Sequence, residues 1–272
     1  MKDDQSFTND NGVLNTPCKN VLIVHAQPEP TSFTHYLVDI ARETLEANGH
    51  HVIESDLYKM NWKAVFDQDD FPDRINIDRF SYTSESAHAY ASSSQPSDIE
   101  NEQDKLKAAD AVIFAFPLWW YGMPAIMKGW MDRVWTNGLA YGFKRGGIIR
   151  RYGDGGFSGK RALLAVSIGG VAEEFGPRGI CGPIDQLLFP ITHGCLFYTG
   201  MQVLSNFTVF STHHLSEERV SRIAGEWKYR LNMLFEEKPI QYRAQDSGDY
   251  SNKWVLDDHV ASGITGFDAH IR

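Results

Sequence analysis

The sequence predicts a doubly wound α/β domain built on a five-stranded parallel sheet. Two observations carry that prediction. Short runs are apolar at every position, as strands covered on both faces require. Between them lie segments with a helical stripe, so that strands and helices alternate as βαβ units with right-handed crossovers. A third observation narrows the class: the 272 residues contain no internal repeat, which excludes a solenoid or propeller.

The elements follow in chain order. Residues 1–19 are polar, lack the apolar core of a secretory signal, and read as a flexible leader. Val21-Leu22-Ile23-Val24 is the first strand. Phe33, Tyr36, Leu37, Ile40, Ala41 and Leu45 then form a helical stripe that Asn48-Gly49 stops. Val52-Ile53 begins the second strand. Asp67 to Asp98, dense in Asp, Ser and Gln, reads as a long excursion with little regular structure. Ala111 to Phe116 is the third strand, followed by a helix from Pro124 to Trp135. Asn137 to Gly159 is glycine-rich and carries Lys144, Arg145, Arg150 and Arg151. Ala162 to Ser167 is the fourth strand, and a helix over Asp185 to Cys195 carries a potential break at Pro190. Val203 to Phe210 is the fifth strand. Ser216 to Glu237 is the last helix, opened by the capping segment Ser216-Glu217-Glu218. The domain therefore spans residues 20–239, and residues 240–272 form a polar C-terminal arm reaching toward a partner subunit.

Composition excludes several functions. With 26 Lys+Arg against 35 Asp+Glu the net charge is −9, the wrong sign for a nucleic-acid or anionic-membrane partner. Hydrophobic residues at 42% suffice for a core. Cys18, Cys181 and Cys195 are too scattered for a disulfide framework or structural zinc, which points to a reducing, cytoplasmic setting. No apolar stretch approaches the ~20 residues that cross a bilayer. The pairs His50-His51 and His213-His214 have no partners at metal-ligand spacing and read as solvated histidines.

In such sheets ligands bind outside the carboxyl ends of the strands. After the first strand, Gln27 to Thr34 leads into a helix, and Thr31, Ser32 and Thr34 add hydroxyls to its N-terminal N–H groups. That suits a phosphate held without Lys or Arg; the same hydroxyls would equally serve as a plain helix cap. After the third strand, Pro117-Leu118-Trp119-Trp120-Tyr121 exposes consecutive aromatics. A planar ring system or an aromatic dimer interface would cover them. After the fourth, Ser167-Ile168-Gly169-Gly170 lets backbone approach a ligand closely, or makes an ordinary turn. A nicotinamide-type Gly-x-Gly-x-x-Gly is missing. Gly153 to Lys160 fails as a phosphate loop because Asp154 stands where the first Gly belongs and the segment precedes a strand.

Together these loops resemble the NAD(P)H:quinone oxidoreductase (DT-diaphorase) family of flavodoxin-like flavoproteins. The resemblance extends through Glu54-Ser55-Asp56-Leu57-Tyr58, Pro124 to Trp130, Ala140-Tyr141 and Gly200 to Leu204, and covers Asn20 to Pro239. It implies a homodimer with FAD at the subunit interface, taking hydride from NAD(P)H and passing it to a quinone by ping-pong kinetics. Carried over by position, Gln27 and Thr31 to Thr34 (with Phe33) would hold the pyrophosphate end of the cofactor. Pro117, Leu118, Trp119, Trp120 and Tyr121, with Ser167, Ile168, Gly169 and Gly170, would hold the isoalloxazine. Trp120, Tyr121, Tyr141, Phe143 and Tyr198 would wall the substrate slot.

Three departures stand out. Gln27 replaces a family His, Phe175 replaces a catalytic Tyr, and Cys181 replaces a catalytic His. Phe has no donor and a thiol is a weak one, so charge stabilisation on the flavin falls to the backbone N–H groups of Gly169 and Gly170. Arg178 would bring a cation to Cys181 if that segment were helical, or be an ordinary surface charge. The basic stretch Lys144 to Arg151 would meet an NADPH phosphate or an acidic substrate, or be a solvated loop. The same resemblance leaves open nitro or azo reduction, a flavin-binding regulatory subunit of the potassium-efflux type, and a small electron carrier.

Overall fold

Strand β1 (Asn20–His25) is the axis of the sheet, buried at five consecutive positions. The computed structural model describes residues 17–251 and 253–272, so the predicted leader lies, up to residue 16, outside the described residues. β1 pairs in parallel with β2 (His51–Asp56) on one side and with β3 (Ala111–Pro117) on the other. β6 (Arg161–Ser167) follows β3, also parallel. The intervening β4 (Lys144–Arg145) and β5 (Ile148–Ile149) form a separate exposed hairpin in the basic stretch.

The fifth strand position differs from expectation. In place of a continuous Val203–Phe210, β7 (Gln202–Val203) pairs with the start of β6 and β8 (Phe207–Val209) with its end. Leu204 is buried and still donates its N–H to Ala162 O at 2.8 Å, and the ladder is interrupted only at the polar Ser205 and Asn206. The order β2-β1-β3-β6, then β7 and β8 at one edge, places the reversal of winding between β1 and β3.

Helices cover both faces. α1 (Phe33–Ala47) and α6 (Glu217–Asn232) pack on Val21, Ile23, Ile113 and Leu163, with Trp227 Nε1 donating to Leu37 O at 2.9 Å. α4 (Ala125–Val134) packs on Leu22, Val24, Val112 and Phe114 through Met127 and Trp130. The last helix starts at the expected place, Ser216 Oγ accepting from Arg219 N, but ends five residues early at Asn232. α5 (Ile184–Ile191) tolerates Pro190 and widens into a π-type turn over Thr192–Phe197, so the anticipated break becomes a bulge.

The Asp67–Asp98 excursion is more regular than its composition predicts. It holds α2 (Tyr82–Ser92) and leads into α3 (Ser97–Ala108). α3 docks by a polar hub that hydrophobic periodicity cannot register. Glu102, 1% exposed, accepts from Ser55 Oγ (2.7 Å), Trp130 Nε1 (2.8 Å) and Lys105 Nζ (2.6 Å). Such a carboxylate is tolerated in the interior only when its lone pairs are filled this way.

The C-terminal arm folds back on its own chain. Ile240 N donates to Val203 O at 2.7 Å, and Tyr242 OH donates to Thr192 Oγ1 at 2.8 Å. Phe267 stacks on Phe189 at 4.4 Å.

Candidate cofactor cleft

The chain between β1 and α1 turns sharply on its own side chains. Glu29 accepts from Thr31 N at 2.9 Å and from Thr31 Oγ1 at 2.6 Å, which holds its carboxyl below the usual glutamate range. Ser32 is the N-cap, its Oγ accepting from His35 N at 3.2 Å. Two hydroxyls predicted for phosphate are thus engaged within the loop, and Ser32 fulfils the cap reading. The donors left without a partner among the described residues are the N–H groups of Phe33 and Thr34, at the start of the first helical turn.

Thr34 points inward. Its Oγ1 lies 2.8 Å from Ser167 Oγ, joining the first loop to the one after β6. Beyond Ser167, close approach is built in: a Cβ on Gly169 would sit 2.6 Å from His213 Nε2, and one on Gly170 2.7 Å from Glu174 Oε2. After β3, Trp119 and Gly122 exchange backbone hydrogen bonds of 3.0 Å each, with Trp120 (φ 50°) and Tyr121 (φ 60°) at the apex. Two bulky residues in the left-handed region mark stored backbone strain. The turn leaves Trp120 97% exposed.

These loops enclose a cavity of about 570 Å³ at the carboxyl ends of β1, β3 and β6. Gln27, Thr31, Ser32, Phe33 and Thr34 form one wall, Pro117, Leu118 and Trp119 a second, and Ser167 and Gly169 the floor. Thr212 and His213 close the far side. His213 is exposed, as expected of a solvated histidine, but neither it nor Thr212 was expected to line the cleft. They follow β8 at the same end of the sheet, so the rule that located the other loops also locates them.

Other predicted residues lie elsewhere in the single chain. Ile168 is buried in the core, and Phe175 packs on Phe210 with ring centroids 5.5 Å apart. Cys181 Sγ lies 3.5 Å from Tyr121 OH, and that contact raises the phenol pKa. Tyr141 and Tyr198 line a different depression of about 170 Å³ with Tyr82 and Cys195. Phe143 lies against Gly156, where an added Cβ would come within 2.9 Å of its ring. Gly176 to Gly182 is a run of turns, so Arg178 gains no helical register with Cys181. In the basic stretch Arg150 is paired with Asp154, and Arg151 Nε donates to Gln245 Oε1 at 3.0 Å.

A helix N-terminus, an aromatic turn and a small-residue loop converging at a winding reversal define a flavodoxin-like class. A family model described as flavodoxin-like fold matches residues 19–231. A ribosyldihydronicotinamide dehydrogenase-like protein of Penicillium crustosum is 46% identical over 259 residues, covering 93% of this chain and 95% of its own. NAD(P)H dehydrogenase (quinone) 1 of Rattus norvegicus is 37% identical over 225 residues, covering 82% of this chain and 80% of its own. Among solved structures, a protein of Klebsiella pneumoniae described as a candidate quinone reductase superposes with a TM-score of 0.91 at 43% identity. That superposition covers 93% of this chain and 100% of the other. The chain belongs to the NAD(P)H:quinone oxidoreductase family and is an oxidoreductase.

Proposed function

We propose that this enzyme is an FAD-dependent NAD(P)H:quinone oxidoreductase acting by ping-pong two-electron transfer in the cytoplasm. The observation that carries the reading is the cleft of about 570 Å³. That volume lies within the ~300–1,000 Å³ typical of small-molecule and cofactor sites. Its residues fit a flavin. The first turn of α1 offers backbone N–H groups to phosphate, Trp119 and Leu118 offer an apolar wall, and Gly169, with no side chain, lets the floor and His213 come together at the cleft.

A bound flavin supplies two-electron exchange between a nicotinamide and a quinone. The protein's residues position and shield. Pro117 to Trp119 exclude water from one side, and backbone N–H groups at Gly169 and Gly170 are available to developing negative charge. Neither Phe175 nor Cys181 matches the proton-donating power of the family's Tyr and His, so turnover is slower than the fold alone would permit.

The substrate wall requires a second copy of the chain. Tyr141 and Tyr198 share a depression away from the cleft, and Trp120 stands almost wholly exposed. A homodimer that brings one copy's Tyr141 and Tyr198 over the other's Trp120 and Tyr121 completes the slot and covers the indole. The net charge of −9 supports a neutral quinone over a nucleic-acid partner.

The decisive experiment is the visible spectrum of the purified protein, with the released flavin identified by chromatography and NAD(P)H oxidation followed with and without a benzoquinone. FAD, reduction by NAD(P)H and quinone-dependent turnover are expected. Absence of flavin after reconstitution would overturn the proposal. A flavin that NAD(P)H cannot reduce would favour the regulatory-subunit reading, to which the replaced Phe175 and Cys181 lend support. Turnover with nitro or azo compounds but not quinones would reassign the substrate.

A further inference from the structure

Behind the cofactor cleft, three elements bring together a set of side chains with no role in the scheme above. His25 is the last residue of β1, Asp56 the last of β2, and His35 lies in the first turn of α1. The parallel register sets His25 directly beside Asp56. One ligand atom from each of the three lies within 4.8 Å of the others, and among the described residues no other His, Cys, Asp or Glu trio does so.

The hydrogen bonds around the trio are those of a metal site's outer shell. His25 is fully buried, and its Nε2 lies 2.9 Å from Glu54 Oε1. Its other nitrogen, Nδ1, is buried with no hydrogen-bond partner among the described residues. Donation of Nε2–H to Glu54 fixes the tautomer and leaves Nδ1 with a bare lone pair in the interior, a costly arrangement unless something meets it. His35 shows the same division: Nδ1 lies 3.1 Å from Ser32 Oγ, and Nε2 faces Asp56 Oδ2 at 3.8 Å. The two rings meet edge to face, with centroids 5.0 Å apart. Metal-bound histidines characteristically anchor their second nitrogen to a carboxylate or another oxygen, which orients the ring and raises its basicity.

We propose that His25 Nδ1, His35 Nε2 and the Asp56 carboxylate bind one borderline divalent transition-metal ion of the zinc class. Glu54 and Ser32 orient the two imidazoles, and water fills the fourth position. Two nitrogens and one carboxylate oxygen suit zinc, whereas magnesium and calcium require oxygen cages. Ligands of tetrahedral zinc sit roughly 3.3 Å apart, from bonds of ~2.0–2.1 Å. The 3.8 Å His35–Asp56 separation is close to that, and all three ligand atoms already lie within 4.8 Å of one another, so an ion would need only to draw them in. The bound ion ties the carboxyl ends of β1 and β2 to the start of α1. Because Ser32 both caps that helix and lines the cleft, the ion fixes the wall against which the cofactor phosphate rests.

The site is tested on the full-length chain, stripped with a chelator and titrated with zinc alone, stoichiometry being measured by elemental analysis after dialysis. One equivalent is expected. His35→Ala and Asp56→Asn should each weaken it at least 100-fold, Glu54→Gln about 10–100-fold as for an outer-shell partner, and His51→Ala not at all. Cobalt(II) should give the visible absorption of a four-coordinate site in the unaltered chain and lose it in His35→Ala. His25 lies inside the sheet, so the test rests on His35 and Asp56, with circular dichroism confirming that each variant folds. Failure to bind one equivalent would overturn the proposal. So would undiminished zinc in both His35→Ala and Asp56→Asn, which would assign the metal to other histidines. Neither outcome depends on flavin or turnover.

Discussion

Among the described residues, Thr34 and Ser167 form the one buried side-chain hydrogen bond that joins the phosphate side of the cleft to its floor. Their hydroxyls are 2.8 Å apart, at 1% and 7% exposure. Thr34→Val keeps the shape and removes one partner, leaving Ser167 with an unsatisfied buried hydroxyl at a cost of ~1–3 kcal/mol. Ser167→Ala strands Thr34 in the same way. The double variant removes both groups, so its loss should fall short of the sum by ~0.5–1.5 kcal/mol, the size of a typical net hydrogen bond. Urea unfolding of the flavin-free chains, followed by tryptophan fluorescence, yields the four stabilities. A flavin titration should show each single variant binding about tenfold more weakly, or ~1.4 kcal/mol, because the two loops lose their fixed spacing. Strict additivity in stability would refute the claim that these hydroxyls act as a pair.

Three further outcomes are expected. Phe175→Tyr with Cys181→His should raise quinone turnover tenfold or more, against the ~10²–10³ that losing a single oxyanion donor costs; stopped-flow measurement of both half-reactions checks this, and no gain in either would contradict it. Gly129→Ala places a Cβ 1.9 Å from the Ala64 carbonyl oxygen, which as backbone cannot swing aside. Overpacking of ~1–3 kcal/mol should outweigh the ~1 kcal/mol helix-propensity gain and lower the melting temperature by several degrees in calorimetry. His193, held between Tyr152 and Phe189 and beside His270, is pushed down to about 4 by burial and then by His270. Between there and the ordinary histidine value of ~6.5 the unfolded chain binds the proton that the fold refuses. Stability should therefore be full above that range and fall as pH drops through it, levelling off below about 4. His193→Phe should flatten this slope in urea midpoints; an unchanged slope would assign it to other groups.

The parallel core was readable because its strands are written in one alphabet. Val21 to Val24 and Ala111 to Phe116 are apolar at every position, and only burial on both faces explains that. The cleft followed from topology: once β1, β3 and β6 were recognised, the loops at their carboxyl ends supplied ten of its lining residues, from Gln27 to Gly169. α3 was not readable, because Glu102 and Gln103 anchor it through buried polar contacts that carry no apolar period. The fifth strand was overextended for the opposite reason, since the apolar residues on either side, Leu204 and Phe207, are both buried while the polar Ser205 and Asn206 between them interrupt the ladder. The His25–His35–Asp56 cluster was equally hidden. Its members are 10 and 21 residues apart in sequence, and only parallel register and the start of α1 unite them.

The turn after β3 also makes the molecule its own optical instrument. Of seven tryptophans, Trp130 and Trp227 are sealed in the two halves of the core, while Trp120 stands in water at the apex of that turn. Excited together, they emit from opposite environments, so iodide should quench the red edge, to which Trp120 and the partly exposed Trp119 and Trp254 contribute, more than the blue edge. A ligand or second copy settling over Trp120 would withdraw most of one fully exposed indole from the quencher while Trp254 stayed open to it. Assembly and unfolding thus write to separate wavelengths of one measurement, with no label attached.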